Sequence, residues 1–197
     1  MSFRPVTKTV KAQPTMEGAG VHLHRAFGFG DPDESDPFLL LDDFRNDSPA
    51  LYKRGFPWHP HRGIETITYV LEGTVEHSDS LGNKGKLGPG SVQWMTAGRG
   101  ILHQEMPLGN AKGQMHGFQL WVNLPARDKM CEPRYQDLPA EAMPVLDIGG
   151  GSSVKVIAGR YAGTPGPVQA PATDPLYLDV GLAPGAALAV PVPKGHN

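Results

Sequence analysis

The sequence predicts an all-β fold, either a sandwich or a closed barrel, built from many short strands. Its 197 residues include 25 glycines and 20 prolines, and breakers spread along the chain leave little room for long helices. Hydrophobic residues make up 39% of the chain and charged residues 19%, so there is enough apolar surface to offset the entropy lost on folding. Short β-branched and aromatic segments recur between turns, a pattern typical of sandwiches and barrels.

The predicted strands are clearest between residues 55 and 123. Residues 66–71 are β-branched and aromatic, and Gly73 separates them from the strand that follows. Tight turns are predicted at residues 81–85 and at Pro89-Gly90. An apolar run near residue 40 is either a buried strand or a short core segment. The predicted strands up to residue 123 are residues 21–25, 38–41, 66–71, 74–77, 91–95 and 118–122.

The chain is predicted to contain two domains, residues 1–145 and 146–197. Residues 132–143, rich in proline and charge, are predicted as a connector with at most one short helical turn. The glycine-rich residues 149–152 form the clearest predicted linker. Beyond them, three strands are predicted at residues 154–158, 176–180 and 187–190. Three strands in about fifty residues bury little apolar surface for a core of their own.

Composition argues against several functional classes. The formal net charge is −2 and there is no basic run, so direct binding of nucleic acid is disfavoured. The N-terminal residues lack an apolar signal region, and the longest apolar stretches are far shorter than about 18 residues, so neither export nor a membrane span is predicted. Cys131 is the single cysteine, which excludes an internal disulfide and a cysteine-rich metal site. We therefore expect a cytoplasmic protein in which nitrogen and oxygen atoms hold any metal.

Two pairs of potential metal ligands stand out among the eight histidines. His59 and His61 form one pair, and His103 and Glu105 form the other. Residues i and i+2 of a strand face the same side, so each pair can direct two ligands at one point. Three imidazoles and a carboxylate suit a divalent ion such as Fe, Mn, Ni, Cu or Zn. His22 shares this spacing with His24, but that pair is predicted to lie on a solvated strand face.

The spacing around these histidines resembles the two motifs of the cupin superfamily. The first motif is matched by Gly55, His59, His61, Glu65 and Gly73, and the second by residues 98–103. In the first cupin motif the glutamate binds metal, which makes Glu65 a rival to Glu105. The H-x-E spacing favours Glu105 on the face of His103, but the residues alone leave both carboxylates open. This resemblance implies a cupin-type jelly-roll β-barrel.

Longer phrases resemble one cupin family, pirin. They occupy residues 36–40, 56–66, 93–107, 120–124, 129–133 and 191–195. The resemblance implies two facing barrels, with the metal in the N-terminal one only. Because family members extend further, residues 146–197 are expected to be the beginning of a second, truncated barrel. The implied ligands of one Fe(II) per chain, with Mn, Ni, Cu or Zn as possible substitutes, are His59, His61, His103 and Glu105. Glu65 is then a strand carboxylate paired with Arg62 or a polar neighbour.

The resemblance also implies an activity. The leading hypothesis is an oxidoreductase of the quercetin 2,3-dioxygenase type, which cleaves a flavonol with O2 and releases CO. In it, Glu105 takes the proton of the flavonol 3-hydroxyl. The alternative is a non-catalytic iron-binding protein that regulates a transcription factor or an enzyme partner. These two hypotheses differ in their main partner, a small aromatic molecule or a protein.

A few other residues carry weaker expectations. Trp58, Trp94 and Trp121 are predicted to anchor the core. Gln119 and His116 are either ordinary strand residues or hydrogen-bond partners of a metal ligand. Gly98 and Gly100 are predicted to shape the sharp turn that presents His103.

Overall fold

The structure is a computed structural model that describes residues 3–28, 30, 32–169 and 171–193. Strands dominate these residues, as predicted, and the helical segments are short. They are α1 (Pro32–Ser35) and three 3-10 turns, Pro49–Leu51, Ala126–Asp128 and Ala140–Ala142. Within the described ranges, no helix has the length and apolarity that a membrane crossing requires.

The larger sheet contains seven antiparallel strands among the described residues. Strand numbers follow the chain. In spatial order the strands are β1 (Gln13–Glu17), β2 (Val21–Phe27), β3 (Phe38–Asp43), β10 (His116–Asn123), β5 (Ile64–Glu72), β8 (Val92–Thr96) and β11 (Arg134–Leu138). The predicted strands of the first 123 residues that belong to this sheet are therefore confirmed, with bounds that differ by at most two residues.

A second antiparallel sheet faces the first. In spatial order its strands are β4 (Phe56–His61), β9 (Ile101–Pro107), β6 (Val75–Asp79) and β7 (Lys84–Leu87). Val75 and Leu87 of this sheet pack in one buried cluster with Val21, Leu23 and Val70 of the larger sheet. The two sheets thus enclose a common interior that apolar side chains partly fill.

Strand β5 is covered on both faces. Its alternate residues Thr66, Thr68 and Val70 point into the space between the two sheets, because Val70 belongs to the cluster there. Ile67 and Tyr69 point the other way and belong to a different buried cluster. Burial of both faces explains why this strand is almost continuously apolar or β-branched rather than alternating with charged residues.

The outer face of the larger sheet packs against the C-terminal part of the chain. Its cluster contains Trp94 and Ile67 together with Met143, Ile157 and Val168. The predicted boundary near residue 145 is not tested by this packing and stays a prediction. Apolar residues on both sides of that position nevertheless share one core.

The C-terminal part contains a three-stranded sheet and a short hairpin within the described residues. The sheet strands are β12 (Val145–Gly149), β13 (Ser152–Ala158) and β16 (Tyr177–Gly181), and the hairpin strands are β14 (Arg160–Tyr161) and β15 (Thr164–Pro165). The predicted strand at residues 187–190 is wrong, since these residues are irregular. Pro184, Gly185 and Pro191 flank it closely, and proline lacks the N–H donor that strand pairing needs. Residues 194–197, which end the predicted second domain, lie outside the described ranges.

Two loop predictions also need correction. The glycine-rich linker is instead the tight turn of the β12–β13 hairpin, in which Gly149, Gly150 and Gly151 have φ values of 87°, 61° and 78°. The predicted connector at residues 132–143 contains a strand, β11, followed by the short helical turn that was expected. Strand β11 lies at the edge of the larger sheet, where charged residues and proline are common. Its composition therefore did not indicate a strand.

Candidate metal centre

Strands β4 and β9 bring the two predicted ligand pairs together. They are antiparallel neighbours, and His59 lies directly opposite His103 in their register. His61 is two residues from His59 and Glu105 two residues from His103, so each pair shares a face of its strand. Buried positions alternate with more exposed ones along β9, and His103 and Glu105 occupy the buried set. These four side chains therefore point toward the barrel interior.

The three imidazoles converge tightly. His59 Nε2 lies 3.0 Å from His61 Nε2 and 3.0 Å from His103 Nε2. The ring centroids are 4.4–4.9 Å apart, and the potential ligand atoms all lie within 4.8 Å of one another. His59 Nδ1 lies 2.9 Å from the carbonyl oxygen of Pro57, where an N–H would be a donor. That bond leaves the Nε2 lone pair of His59 directed at the other two rings.

Burial keeps two of these rings neutral. Burial, the larger cause, and the neighbouring imidazoles together lower the pKa of His61 to about 4 and that of His103 to about 3. At neutral pH the two rings therefore carry no charge and expose lone pairs to a shared point. Such crowding of neutral nitrogen donors suits a divalent cation, because metal ligation requires the unprotonated imidazole. The three histidines can hold a metal ion.

Glu105 lies beside this trio. Its Oε2 is 3.9 Å from His103 Nε2, and its Oε1 accepts a hydrogen bond of 3.3 Å from the hydroxyl of Thr68. Burial raises the pKa of the Glu105 carboxyl, while the adjacent imidazoles act in the opposite direction. A cation at the imidazoles would favour the ionised carboxylate and bring an oxygen donor into reach. The role of Glu105 as a fourth ligand stays a prediction.

The rival carboxylate, Glu65, lies on the other face of the larger sheet. It precedes the inward-facing Thr66 on β5 and is completely buried. The hydroxyl of Thr96 donates a 2.7 Å hydrogen bond to Glu65 Oε1. A polar neighbour thus holds Glu65, as the resemblance implied, although that neighbour is Thr96 rather than Arg62.

Two glycines allow the close approaches that form the site. Gly98, in the turn before β9, has φ +49°, and a Cβ there would lie 2.1 Å from the carbonyl oxygen of Cys131. Gly55, just before β4, has φ +60°, and a Cβ there would lie 2.6 Å from the carbonyl oxygen of Glu105. Only glycine meets both demands without strain, so the two strands that carry the histidines can pack at this distance.

His59 and His61 border a cavity of about 740 Å³ between the two sheets. Glu105 also lines it, and apolar side chains form much of its wall. The ring of Trp121 contacts His61 edge to face, with centroids 4.9 Å apart. Further apolar lining residues are Leu23, Leu40, Phe44, Phe56 and Ile64. The cavity offers room for an aromatic molecule beside the imidazoles.

Arg25 and Asp42, a pair of charged residues that also line this cavity, were not identified from the sequence. Arg25 donates two hydrogen bonds of 2.8 Å to the buried carboxylate of Asp42 and lies 2.9 Å from Glu17. Asp42 and Thr68 lie on β3 and β5, which flank β10, so they are about 10 Å apart across the sheet. The sequence offered no alternation that would mark Asp42 as an inward residue, because residues 40–44 are Leu-Leu-Asp-Asp-Phe.

Other sequence expectations have mixed outcomes. His22 and His24 are exposed on β2, as predicted. Trp94 is buried as a core anchor, whereas the prediction for Trp58 is wrong, since this side chain is 54% exposed at the cavity rim. His116 lies 3.9 Å from Asp43 and does not line the cavity. Gln119 does line the cavity and contacts Thr68.

Comparison with known proteins agrees with this architecture. A family profile described as Pirin matches residues 20–122. The pirin-like protein of Caulobacter vibrioides is 52% identical over 198 residues, which cover all of this chain and 71% of that protein. A quercetin 2,3-dioxygenase structure from Acinetobacter baumannii superposes with a TM-score of 0.73 at 35% identity, covering 82% of this chain. A bacterial pirin from Escherichia coli, solved in complex with nickel(II), superposes with a TM-score of 0.52 at 25% identity, covering 76% of this chain and 69% of that one.

The two facing sheets and the inward-directed histidines define a cupin-type β-barrel protein. More narrowly, the chain belongs to the pirin family. It spans 59% of the length of the Acinetobacter chain that it matches. The resemblance inferred from the motifs is thereby confirmed.

Proposed function

We propose that this protein is an Fe(II)-dependent dioxygenase that cleaves a flavonol such as quercetin with O2 and releases CO. The observation that carries the proposal is the convergence of three imidazole nitrogens, two of them kept neutral by burial, at the wall of a cavity large enough for an aromatic molecule. A homologous structure is named quercetin 2,3-dioxygenase, which supports the same chemistry. We also propose a cytoplasmic location, on the grounds of composition alone.

His59, His61, His103 and Glu105 would hold the metal. The E. coli relative solved with nickel(II) supports a divalent cation in this family without specifying iron. When bound, Fe(II) would supply Lewis acidity and a one-electron redox couple next to the cavity. The overall reaction consumes one O2 per flavonol and yields one CO and one ring-opened ester, so its atoms balance.

Glu105 would receive the proton of the flavonol 3-hydroxyl. Its carboxyl lines the cavity next to His103, where the 3-hydroxyl of a bound flavonol would meet it. Thr68 donates to Glu105 Oε1 and limits movement of the carboxylate. Removing this proton would produce the electron-rich flavonolate, the form that reacts with O2.

The apolar wall would orient the substrate and keep water away. Trp121 contacts the His61 ring and lines the cavity, so a planar ring system can lie against aromatic surface beside the imidazoles. Asp42 and Arg25 would interact with hydroxyl groups about 10 Å from Thr68 across the sheet. The cavity therefore suits an elongated aromatic molecule with polar groups at its ends.

A metal-loading and turnover experiment tests the proposal. Anaerobic addition of quercetin to the Fe(II)-loaded protein should shift the flavonol absorption to longer wavelength, and O2 should then consume quercetin and release CO. We expect His103→Ala to lose metal binding and flavonol consumption together, and His22→Ala to retain both, because His22 is an exposed residue of β2. Unchanged quercetin in the presence of stoichiometric iron would overturn the proposal.

A second candidate function is regulation of a protein partner by iron. The observation that favours it is apolar surface beside the histidines: Trp58 is 54% exposed and Leu102 is 48% exposed. Each is adjacent in sequence to a proposed ligand, so a change at the metal could alter the contact surface. In this case flavonol would not be consumed, and a partner would bind the Fe(II) and Fe(III) forms with different affinities that Trp58→Ser reduces.

A further inference from the structure

A row of polar side chains crosses the inner face of the larger sheet. Neighbouring strands place these residues directly opposite one another, so they share a face. In spatial order they are Arg25, Asp42, Gln119, Thr68, Gln93 and Asp137. Burying a polar row inside a barrel costs free energy unless its members are hydrogen-bonded. The central members should therefore have specific partners.

Thr68, at the centre of the row, contacts Glu105 of the facing sheet. The Thr68 hydroxyl lies 3.3 Å from Glu105 Oε1 and 2.8 Å from Gln119 Oε1, and its residue is 3% exposed. A threonine side chain on a strand has a restricted χ1 angle, so its hydroxyl is well placed to direct a neighbour. Thr68 is thus the link between the larger sheet and the carboxylate beside the histidines.

The Thr68 hydroxyl has one proton, so it cannot donate a full hydrogen bond to both Glu105 Oε1 and Gln119 Oε1. A carboxylate that binds a cation is ionised, and an ionised oxygen attracts the proton more strongly than an amide oxygen does. The Gln119 amide can rotate to present its NH2 group to the Thr68 oxygen, since the amide offers a donor at one end and an acceptor at the other. In that arrangement Gln119 donates to Thr68 and Thr68 donates to Glu105.

We propose that Thr68, held by Gln119, is a positioning residue that orients the Glu105 carboxylate toward the three histidines. The bond to Oε1 limits rotation of the carboxylate, so that Oε2 stays on the side of His103, 3.9 Å from its Nε2. This inference rests on the proposed metal site and assigns no direct metal contact to Thr68 or Gln119. Outer partners of this kind typically change metal affinity about 10- to 100-fold.

Titration of the protein with Co(II) under anaerobic conditions tests this proposal. Co(II) serves as the probe because its visible absorption reports the geometry of its ligands. We expect Thr68→Val, which keeps the shape but removes the hydroxyl, to weaken Co(II) binding about 10-fold or more and to change the visible spectrum. Thr68→Ser restores the hydroxyl and should return both the affinity and the spectrum close to those of the wild type.

Thr96→Val is the matched control. Thr96 is also a buried strand threonine that donates to a buried glutamate, but its partner Glu65 lies on the opposite face of the sheet. The Thr96→Val substitution should lower thermal stability to an extent similar to Thr68→Val, while leaving the Co(II) affinity and the Co(II) spectrum unchanged. A Thr68→Val protein that binds Co(II) with wild-type affinity and an unchanged spectrum would overturn the positioning role and leave the proposed metal site intact.

Two further outcomes are decisive. A wild-type protein that binds no Co(II) would overturn the metal site itself and, with it, the inference about Thr68. If Thr68→Val does not fold, Gln119→Met provides the second test, since this partly buried side chain keeps its length and loses its amide. It should weaken Co(II) binding and alter the spectrum in the same direction, and wild-type values for both would refute the proposal.

Discussion

At the scale of single residues, burial sets the protonation of the histidines. In an unfolded chain an imidazole has a pKa of about 6.5, whereas burial lowers the pKa of His61 to about 4 and that of His103 to about 3. Below pH 6.5 these imidazoles therefore bind protons in the unfolded state but not in the folded state. The free energy of unfolding consequently falls as pH falls. The stability that these neutral rings provide is complete above pH 6.5 and is progressively lost as pH falls toward about 4 for His61 and about 3 for His103.

This linkage predicts the acid sensitivity of the metal-free protein. Between pH 7 and pH 5 we expect each of the two buried histidines to reduce the free energy of unfolding by about 2 kcal/mol. Urea denaturation at several pH values, with a chelator present, measures the loss. His61→Gln should remove about half of this pH dependence, whereas His24→Gln, which alters an exposed side chain, should leave it unchanged. Equal slopes for wild type and His61→Gln would contradict the assignment.

At the scale of elements, the turn between β8 and β9 determines how His103 is presented. Gly98 combines a positive φ with a close approach to the Cys131 carbonyl, so the turn is both left-handed and packed against the chain. Backbone hydrogen bonds confirm the packing, since Arg99 N donates to Cys131 O and Gly63 N donates to Gly98 O. The turn therefore fixes the start of β9 relative to the residues that follow β4.

Replacing this glycine should disturb both stability and the site. We expect Gly98→Ala to lower the free energy of unfolding by more than about 2 kcal/mol, because it adds a steric clash to an unfavourable φ. It should also weaken metal binding. Gly82→Ala is the control: Gly82 has φ +92° but open space where a Cβ would lie, so it should show conformational strain alone. Chemical denaturation and metal titration compare the two, and equal effects would exclude the clash as the cause.

At the scale of the whole molecule, one polar cluster ties the larger sheet to the C-terminal sheet. The hydroxyl of Tyr69 on β5 donates to Asp179 of β16 at 2.5 Å and accepts a bond of 3.0 Å from Lys155 of β13. Burial raises the pKa of Tyr69, and the carboxylate of Asp179 adds to this effect, so the phenol stays protonated and remains a donor. The cluster lies beside the apolar core that both parts of the chain share.

Removing this hydroxyl should loosen the attachment. We expect Tyr69→Phe to lower the free energy of unfolding by about 1–3 kcal/mol, since Asp179 and Lys155 lose a buried partner. Tyr161→Phe, on the β14–β15 hairpin, should change it by less than about 0.5 kcal/mol. Thermal unfolding, monitored through tyrosine and tryptophan signals, compares the stabilities of the two variants. A Tyr69→Phe protein as stable as the wild type would show that the cluster does not contribute to the attachment.

The sequence allowed much of the barrel to be predicted because its strands carry a local signal. The β-branched residues of β5 and the alternating residues of β2 indicate strands on their own. Strand β11 was missed because pairing with β8, rather than its composition, makes it a strand. The opposite error occurred at residues 187–190, where composition favours a strand but no pairing occurs among the described residues.

The same division applies to the candidate site. The i, i+2 spacing of His59 with His61, and of His103 with Glu105, was enough to identify the ligand candidates. Spacing did not decide between Glu105 and Glu65, because each could lie on a strand near the histidines. The contact between Thr68 and Glu105 joins two facing sheets, and its residues are 37 positions apart. No local pattern contains such a contact.

By itself, the sequence determined the all-β class, the position of about half of the described strands and the residues that could bind a metal. These follow from short-range physics: side-chain alternation, turn-forming residues and the donor chemistry of imidazole. Only the tertiary structure decided which carboxylate lies beside the histidines, that Trp58 is exposed, and that the C-terminal residues complete a shared core. These depend on which strands become neighbours, and that is settled by burial summed over the whole chain rather than by any one segment.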